Sequence, residues 1–167
     1  MAMDKIQYLI LIVENNTGVL ARITSLFCQR GFNILSLNVA ETENPKISRI
    51  TVVSQGDDSK FEQIVKQTSK LVEVCMVFPL EPSFSLVREL LLVKIACEDR
   101  DLPRVEELAS FYGAKMIDQS VGCVVLELTE APETLDRFVA ELAPFQILEL
   151  CRTGVTGLER GKVTYSL

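Results

Sequence analysis

The amino-acid sequence predicts an α+β protein made of two similar domains, each with the element order βαββαβ. Apolar residues alternate between strand-like runs and helix-like spacing along the chain. A short stretch with two prolines, residues 78–83, interrupts this order, and the same order then returns. Right-handed crossovers place both helices of such a unit on one face of an antiparallel sheet, which is the ferredoxin-like arrangement.

The elements of the first half follow from local patterns. Residues 6–13 form a continuous apolar run, which predicts a buried central strand. Residues 18–30 have their apolar side chains on one helical face, and Gly31 is predicted to end that helix. Ser59 and Glu62 form a capping-box pattern at the start of a second helix. The other predicted strands of this half are residues 34–41, 47–55 and 71–78.

The second half gives the same series of elements after the prolines. A helix is predicted to start near Asp101 and to end at Gly113, and Pro132 marks the start of another helix. The predicted strands of this half are residues 88–97, 114–119, 122–129 and 145–151.

The two halves also share local sequence. Residues 71–75 (LVEVC) resemble residues 147–151 (ILELC), and a glycine ends the first predicted helix of each half. Two domains of this size would each be marginally stable alone, and each has one sheet face that its own helices leave open, so a homodimer or larger assembly is predicted. The predicted first domain, linker and second domain are residues 1–79, 80–86 and 87–167.

The composition excludes several classes of function. The formal net charge is −6 and no basic patch is present, so nucleic acid is not an expected partner. The chain has no histidine, the commonest general base and metal ligand, and neither a catalytic nor a metal site is predicted. The five cysteines form no CxxC pair, which fits a reducing cytoplasm. The apolar run at residues 8–13 is too short to span a membrane, so no membrane association is expected.

The most informative stretches are residues 14–20 and 31–34. They lie where the first strand turns into a helix and where that helix returns to the next strand. Gly18 has no Cβ, so a ligand can approach the backbone there, and a helix N-terminus favours a carboxylate. Asn15 and Asn33 carry amide groups that suit the charged ends of a free amino acid.

Asparagine and glycine in turns also have a purely structural interpretation, because both residues are common in turns without any ligand. The internal repeat provides a control. When the two helix-ending glycines are aligned, Arg100 stands opposite Gly18 and Lys115 stands opposite Asn33. A motif that the fold alone required would occur in both halves, so its single occurrence favours ligand binding.

Residues 15–20 (NNTGVL) and 30–34 (RGFNI) resemble the amino-acid-binding signature of ACT domains. Over nearly its full length the chain resembles the small subunits of bacterial acetohydroxyacid synthase, also called acetolactate synthase. Each motif alone is weak, but their order along the chain is specific. The further residues that carry this resemblance are Phe27, Gln29, Ser36, Leu37, Ser48, Arg49, 62–64, 66–67, 70–72, Arg88, Glu89, 152–154, Arg160 and Gly161.

The resemblance implies an N-terminal ACT domain and a C-terminal ACT-like domain in a cytoplasmic protein of branched-chain amino-acid biosynthesis. Such a chain would be a non-catalytic regulatory subunit that activates a catalytic large subunit and confers feedback inhibition, most often by valine. It would carry no cofactor, whereas the large subunit would carry thiamine diphosphate, magnesium and FAD. Two chains would pair through their ACT domains as a homodimer, with the effector bound between them. By position, the effector-site residues would be Asn15, Gly18, Val19, Leu20, Asn33 and Ile34.

A second interpretation remains open at this point. The chain could be a free-standing ACT-type amino-acid sensor that controls a different enzyme or a regulator. Co-purification of a large catalytic partner would distinguish the two interpretations.

Overall fold

The computed structural model describes residues 5–162 and confirms the α+β class, with two antiparallel sheets and four α-helices among these residues. The described chain divides into two units. One contains residues 5–86 together with 155–162, and the other contains Val87–Gly154.

The first unit has the predicted βαββαβ order. Its sheet has the strand order β2-β3-β1-β4, and all of its strand pairs are antiparallel. The outer strands are therefore β2 and β4, and β1 lies at the centre as predicted. The elements are β1 (Lys5–Glu14), α1 (Val19–Gln29), β2 (Asn33–Glu41), β3 (Ile47–Gly56), α2 (Asp58–Thr68) and β4 (Val74–Leu80).

Both helices of this unit pack on one face of the sheet, because every second residue of the central strands is apolar and faces them. The buried residues of this core are Leu9, Leu11, Val13, Val19, Ile23, Phe27, Phe32, Ile50, Val52 and Ile64. The opposite sheet face is also buried, since Tyr8, Ile10 and Ile12 are at most 7% exposed.

A C-terminal cap sets the end of α1 and the start of β2. Gly31 has a φ of 71°, in the left-handed region that favours glycine. The N–H of Phe32 donates to the Phe27 carbonyl at 3.0 Å, and the N–H of Gly31 donates to the Cys28 carbonyl at 3.0 Å. The rings of Phe27 and Phe32 also meet edge to face, with centroids 6.0 Å apart. This is a Schellman motif, and it places Asn33 directly after the helix.

The start of α2 differs from the predicted capping box. Asp57 is the N-cap, and its carboxylate accepts from the N–H of Lys60 at 2.8 Å. This backbone hydrogen bond is the main reason that the pKa of Asp57 is lowered. The helix therefore begins at Asp58, and Ser59 lies inside its first turn rather than capping it.

The second unit repeats the pattern with the strand order β6-β7-β5-β8. Its first helix also ends with a left-handed glycine, Gly113, whose φ is 73°. A 3-10 turn at Pro82–Phe84 leads directly into the first strand, so little of the predicted linker at residues 80–86 is irregular. The elements are β5 (Ser85–Ala96), α3 (Leu102–Tyr112), β6 (Lys115–Ser120), β7 (Cys123–Glu130), α4 (Pro132–Glu141) and β8 (Ile147–Arg152).

The end of the described chain departs from the sequence-based boundaries, which assign it to the second domain. After β8 the chain continues into β9 (Thr156–Glu159), and residues from 155 onward group with the first unit. Val155 is 4% exposed, and two hydrogen bonds join residues 155 and 157 to side chains on β2 and β3. These contacts are the physical reason for the difference.

Candidate functional site

The turn between β1 and α1 leaves the backbone at Gly18 accessible. Gly18 is the N-cap of α1 and has a φ of 89°, in the left-handed region. A Cβ added at this position would meet no atom within 4 Å, apart from its chain neighbours. The space beside the Gly18 backbone is therefore open, and a ligand can reach the first turn of α1.

Several N–H groups in this turn are available to an anion. No side chain caps α1, and among the described residues the N–H groups of Gly18, Leu20 and Ala21 have no acceptor. The N–H of Val19 donates to the Asn16 carbonyl at 3.3 Å, so it is partly used within the turn. The N–H donors that remain available in this turn are therefore those of Gly18, Leu20 and Ala21. Unpaired N–H groups at the positive end of a helix favour a carboxylate.

Asn15 has a structural role that the sequence did not reveal. Its side-chain nitrogen donates to Glu41 Oε1 at 2.9 Å and to the Pro45 carbonyl at 2.9 Å. Its own N–H donates to the Lys46 carbonyl at 2.7 Å. These bonds join the end of β1 to the hairpin between β2 and β3. Because both side-chain hydrogens are used, Asn15 can offer a ligand only its Oδ1, which is an acceptor.

Two carboxylates lie beside the same turn. Glu41 accepts from Asn15, and Glu14 accepts from the side chain of Asn16 at 2.9 Å. Neither carboxylate has an ion-pair partner among residues 5–162. Negative charges that accept hydrogen bonds from neutral amides, next to a helix N-terminus with unpaired N–H groups, complement a molecule that carries both an ammonium and a carboxylate group. Glu41 was not singled out in the sequence, because its contact to Asn15 spans 26 residues.

Asn33 lies at the opposite end of the sheet from this turn. It begins β2 and pairs with Gln55 of β3, whereas Glu14 at the end of β1 pairs with Ile47 of β3. Positions 47 and 55 are eight residues apart on one strand, which corresponds to about 26 Å. The Asn33 side chain is exposed and forms no hydrogen bond with a described residue. A single chain therefore does not bring Asn33 together with Asn15 and Gly18.

The three apolar residues of the predicted site have different environments. Val19 is 6% exposed and belongs to the core between the helices and the sheet. Leu20 is 39% exposed at the start of α1, and Ile34 packs partly against the core. Leu20 and Ile34 thus have side-chain surface available for contact with a ligand, whereas Val19 stabilises the helix.

The corresponding turn of the second unit offers a charged ligand fewer free partners. Arg100 lies 3.1 Å from Glu98 and 3.8 Å from Asp101, so its charge is already paired. Pro103 lies in the first turn of α3 and has no N–H, and the N–H of Arg104 donates to the Asp101 carbonyl at 3.1 Å. The two units therefore differ at this turn both in their side chains and in the backbone N–H groups that are free to donate.

Two further features, a metal-binding cluster and a membrane-spanning helix, are absent from residues 5–162. No three or more of their Cys, Asp and Glu side chains are grouped so that they could hold a metal ion. No helix within residues 5–162 has the length and apolar character needed to cross a membrane.

Comparison with known proteins identifies relatives along almost the whole chain. Residues 9–76 match the family described as the AHAS small subunit-like ACT domain, and residues 88–161 match the small subunit of acetolactate synthase. The chain is 39% identical to a probable acetolactate synthase small subunit of Methanothermobacter thermautotrophicus, over 92% of each chain. It is 38% identical to the acetolactate synthase isozyme 3 small subunit of Escherichia coli, over 90% of this chain and 93% of that one.

The structure also matches a solved relative. The crystal structure of the acetolactate synthase small subunit from Thermotoga maritima superposes with a TM-score of 0.88 at 35% identity. The match covers 95% of this chain and 99% of that chain.

Proposed function

This chain belongs to the family of acetolactate synthase small subunits, which implies a regulatory role beside a catalytic large subunit, and from that premise we propose what it regulates and how. The chain raises the activity of the large subunit and makes that activity sensitive to feedback inhibition by a branched-chain amino acid, valine. The chemistry, with thiamine diphosphate, magnesium and FAD, takes place on the large subunit, and this chain binds none of these cofactors.

One observation carries the proposed effector site. In one of two similar units, a helix N-terminus with N–H groups that no described residue accepts from lies beside carboxylates that pair with no cation among residues 5–162. A free amino acid fits both features, because its carboxylate binds the N–H groups of Gly18, Leu20 and Ala21 and its ammonium lies near Glu41 and the Asn15 oxygen. An apolar side chain then contacts the exposed part of Leu20.

The position of Asn33 supports a site shared between two chains. Strand β2 is an open edge of the sheet, and Leu35 and Val39 on it are 46% and 41% exposed. A two-fold antiparallel pairing along β2 places the start of one β2 strand beside the end of the other. Asn33 and Ile34 of one chain then lie beside Glu41 and the Gly18 turn of its partner. We therefore propose that the chain forms a homodimer through its first unit and that the effector binds between the two copies.

The proposed function predicts the outcome of a reconstitution assay. Purified alone with thiamine diphosphate, magnesium and FAD, the chain should form no acetolactate from pyruvate. Added to the large subunit of the same organism, it should raise the rate, and valine should then lower the rate in a dose-dependent manner. Turnover by the chain alone, or a large-subunit rate that neither the chain nor valine changes, would contradict the proposal. A chain that binds valine but no large subunit would instead be a free-standing sensor.

A substitution at Glu41 tests how the ammonium group is recognised. Glu41→Gln should keep the hydrogen bond from Asn15 but remove the negative charge, and we expect valine affinity to fall about 3- to 10-fold because the pair is exposed. Isovalerate, which lacks the ammonium group, should bind the variant at least as well as the unchanged chain, because it loses no attraction to Glu41. Titration calorimetry with both ligands measures the two effects.

The matched control is Glu43→Gln, an equal change of charge on the same hairpin at a residue that forms no hydrogen bond with Asn15. It should alter valine binding by less than about twofold, because separated exposed charges are screened by solvent and salt. Equal losses for the two variants would mean that Glu41 acts only through the net charge of the surface.

A further inference from the structure

Several residues that resemble family markers have no part in the proposed effector site, and the structure joins them at the chain's return from the second unit to the first. In the second unit, Glu89 is 7% exposed. Its carboxylate accepts from Arg152 Nη2 at 2.6 Å and from the N–H of Gly154 at 3.1 Å. Arg152 also donates to Asp136 of α4 at 2.6 Å. The last residues of the second unit are therefore held in place by a buried carboxylate.

The next three residues, 155–157, bind the sheet of the first unit, and we call them the return segment. The N–H of Val155 donates to Ser36 Oγ on β2 at 3.2 Å. The carbonyl of Gly157 accepts from Arg49 Nη2 on β3 at 2.7 Å. Val155 and Gly157 are both buried. The return segment thus contacts the sheet face that α1 and α2 do not cover.

Arg49 is the stronger of these two attachments. Its guanidinium lies 5.9 Å from the centroid of the Phe78 ring, and burial lowers its pKa. Within residues 5–162 it pairs with no carboxylate, and its Nε has no hydrogen-bond partner. Among the described residues, the Gly157 carbonyl is the one hydrogen-bond acceptor of this half-buried cation, so the position of Gly157 depends on the position of β3.

The two attachments lie near the two halves of the proposed effector site. Ser36 follows a register shift between β2 and β3 that begins at Ile34, so it is the first regularly paired residue after Asn33 and Ile34. Arg49 pairs with Ile12 of β1, three residues before Asn15. A displacement of the start of β2 would therefore move Ser36, and a displacement of the end of β1 would move Arg49. Either one would move an attachment of the return segment.

We propose that the return segment couples effector binding in the first unit to the second unit. This inference rests on the proposed function, and it gives Ser36 and Arg49 the role of positioning residues that do not touch the effector. Effector binding shifts β2 or the end of β1, and the shift moves Val155 or Gly157. The movement reaches Gly154 along the backbone, and Glu89 through its hydrogen bond from the Gly154 N–H. Gly154 has a φ of 81°, so this junction has a backbone conformation that other residues adopt rarely.

The test separates effector binding from the response to it. Arg49→Met should leave valine affinity, measured by calorimetry on the purified chain, within about threefold of the unchanged protein. In the reconstituted holoenzyme the same variant should need at least about tenfold more valine for half-inhibition, or reach a smaller maximal inhibition, as expected when a coupling of ordinary size is lost. Arg49→Lys, which keeps the charge, should restore part of the response. Ser36→Ala should give a smaller loss of the same kind.

Arg104→Met is the control, since Arg104 also lies over an aromatic ring, at 5.7 Å from the Phe145 centroid, but forms no hydrogen bond with residues 155–157. Arg104→Met should change neither the valine affinity of the chain nor the valine inhibition of the holoenzyme. The inference is overturned if Arg49→Met inhibits normally, or if its binding and response fall in parallel. A holoenzyme with the unchanged chain that valine does not inhibit would instead refute the proposed function. Circular dichroism and thermal melts establish that each variant is folded.

Discussion

Gly18→Asp should raise the valine concentration needed for half-inhibition by at least about a hundredfold, while activation of the large subunit survives. The substitution places a carboxylate where the effector's own carboxylate is proposed to bind, and it fills the open space beside the Gly18 backbone. Loss of two charge-assisted hydrogen bonds costs about 3–6 kcal/mol, which corresponds to that change in affinity or a larger one. A valine dose–response curve of the reconstituted holoenzyme measures the effect.

The variant should still fold, so the result would report on binding. A φ of 89° costs a non-glycine residue about 1–2 kcal/mol. A negative charge at a helix N-terminus offsets part of that cost, because it interacts favourably with the helix dipole. The matched change in the second unit, Arg100→Asp, removes only exposed ion pairs and should leave inhibition nearly intact. If Gly18→Asp left the curve unchanged, or Arg100→Asp abolished inhibition, the site would be misplaced.

Mixed dimers give a sharper form of the same test. If each site takes Gly18 from one chain and Asn33 from the other, neither Gly18→Asp nor Asn33→Ala dimers should respond normally to valine. A dimer that contains one chain of each kind has one site with both changes and one intact site. Co-refolding the two variants should therefore restore part of the inhibition. No recovery in isolated mixed dimers would show that both residues act within one chain or that the chains pair elsewhere.

Arg152→Ala should destabilise the second unit by about 3–5 kcal/mol, because it leaves the carboxylate of Glu89 buried without its cation. The side chains of Glu89 and Arg152 are 8% and 27% exposed. Burial by itself lowers the pKa of Arg152, but hydrogen bonds to Asp136 and Glu89 raise it by more, so the arginine stays charged. Denaturant unfolding, combined with hydrogen exchange of the β5 amides, measures the loss.

Lys94→Ala is the comparison for this effect. Lys94 lies on β5, as Glu89 does, and pairs with Glu149 at 3.0 Å, but the two side chains are 40% and 70% exposed. Breaking an exposed pair should change the free energy of unfolding far less than breaking the buried one, because solvent screens the two charges. Equal costs for the two variants would mean that burial does not set the strength of the Glu89–Arg152 pair.

The secondary structure and the repeat could be predicted from the sequence because they depend on local patterns. The two helix-ending glycines are examples, since Gly31 and Gly113 both have the left-handed φ that their positions required. The N-cap of α2 was wrong by two residues, because Asp57 and Ser59 are both good caps and the sequence alone does not decide between them. The Gly18 turn could be singled out from the sequence because its difference from the other half is visible within one short segment.

Only the tertiary structure decided how distant segments of the chain meet. Asn15 and Asn33, 18 positions apart in sequence, are predicted to line one effector site, and the parallel course of β1 and β2 on either side of β3 places them at opposite ends of the sheet within one chain. Glu41 accepts a hydrogen bond from Asn15, and residues 155 and 157 are hydrogen-bonded to Ser36 and Arg49. These contacts span 26 to 119 residues of sequence. Hydrophobic periodicity and turn residues determine each element locally, whereas strand order and register depend on which faces can be buried together. The sequence by itself therefore determined the elements, the repeat and the family resemblance, and the packing of the strands decided which residues can meet.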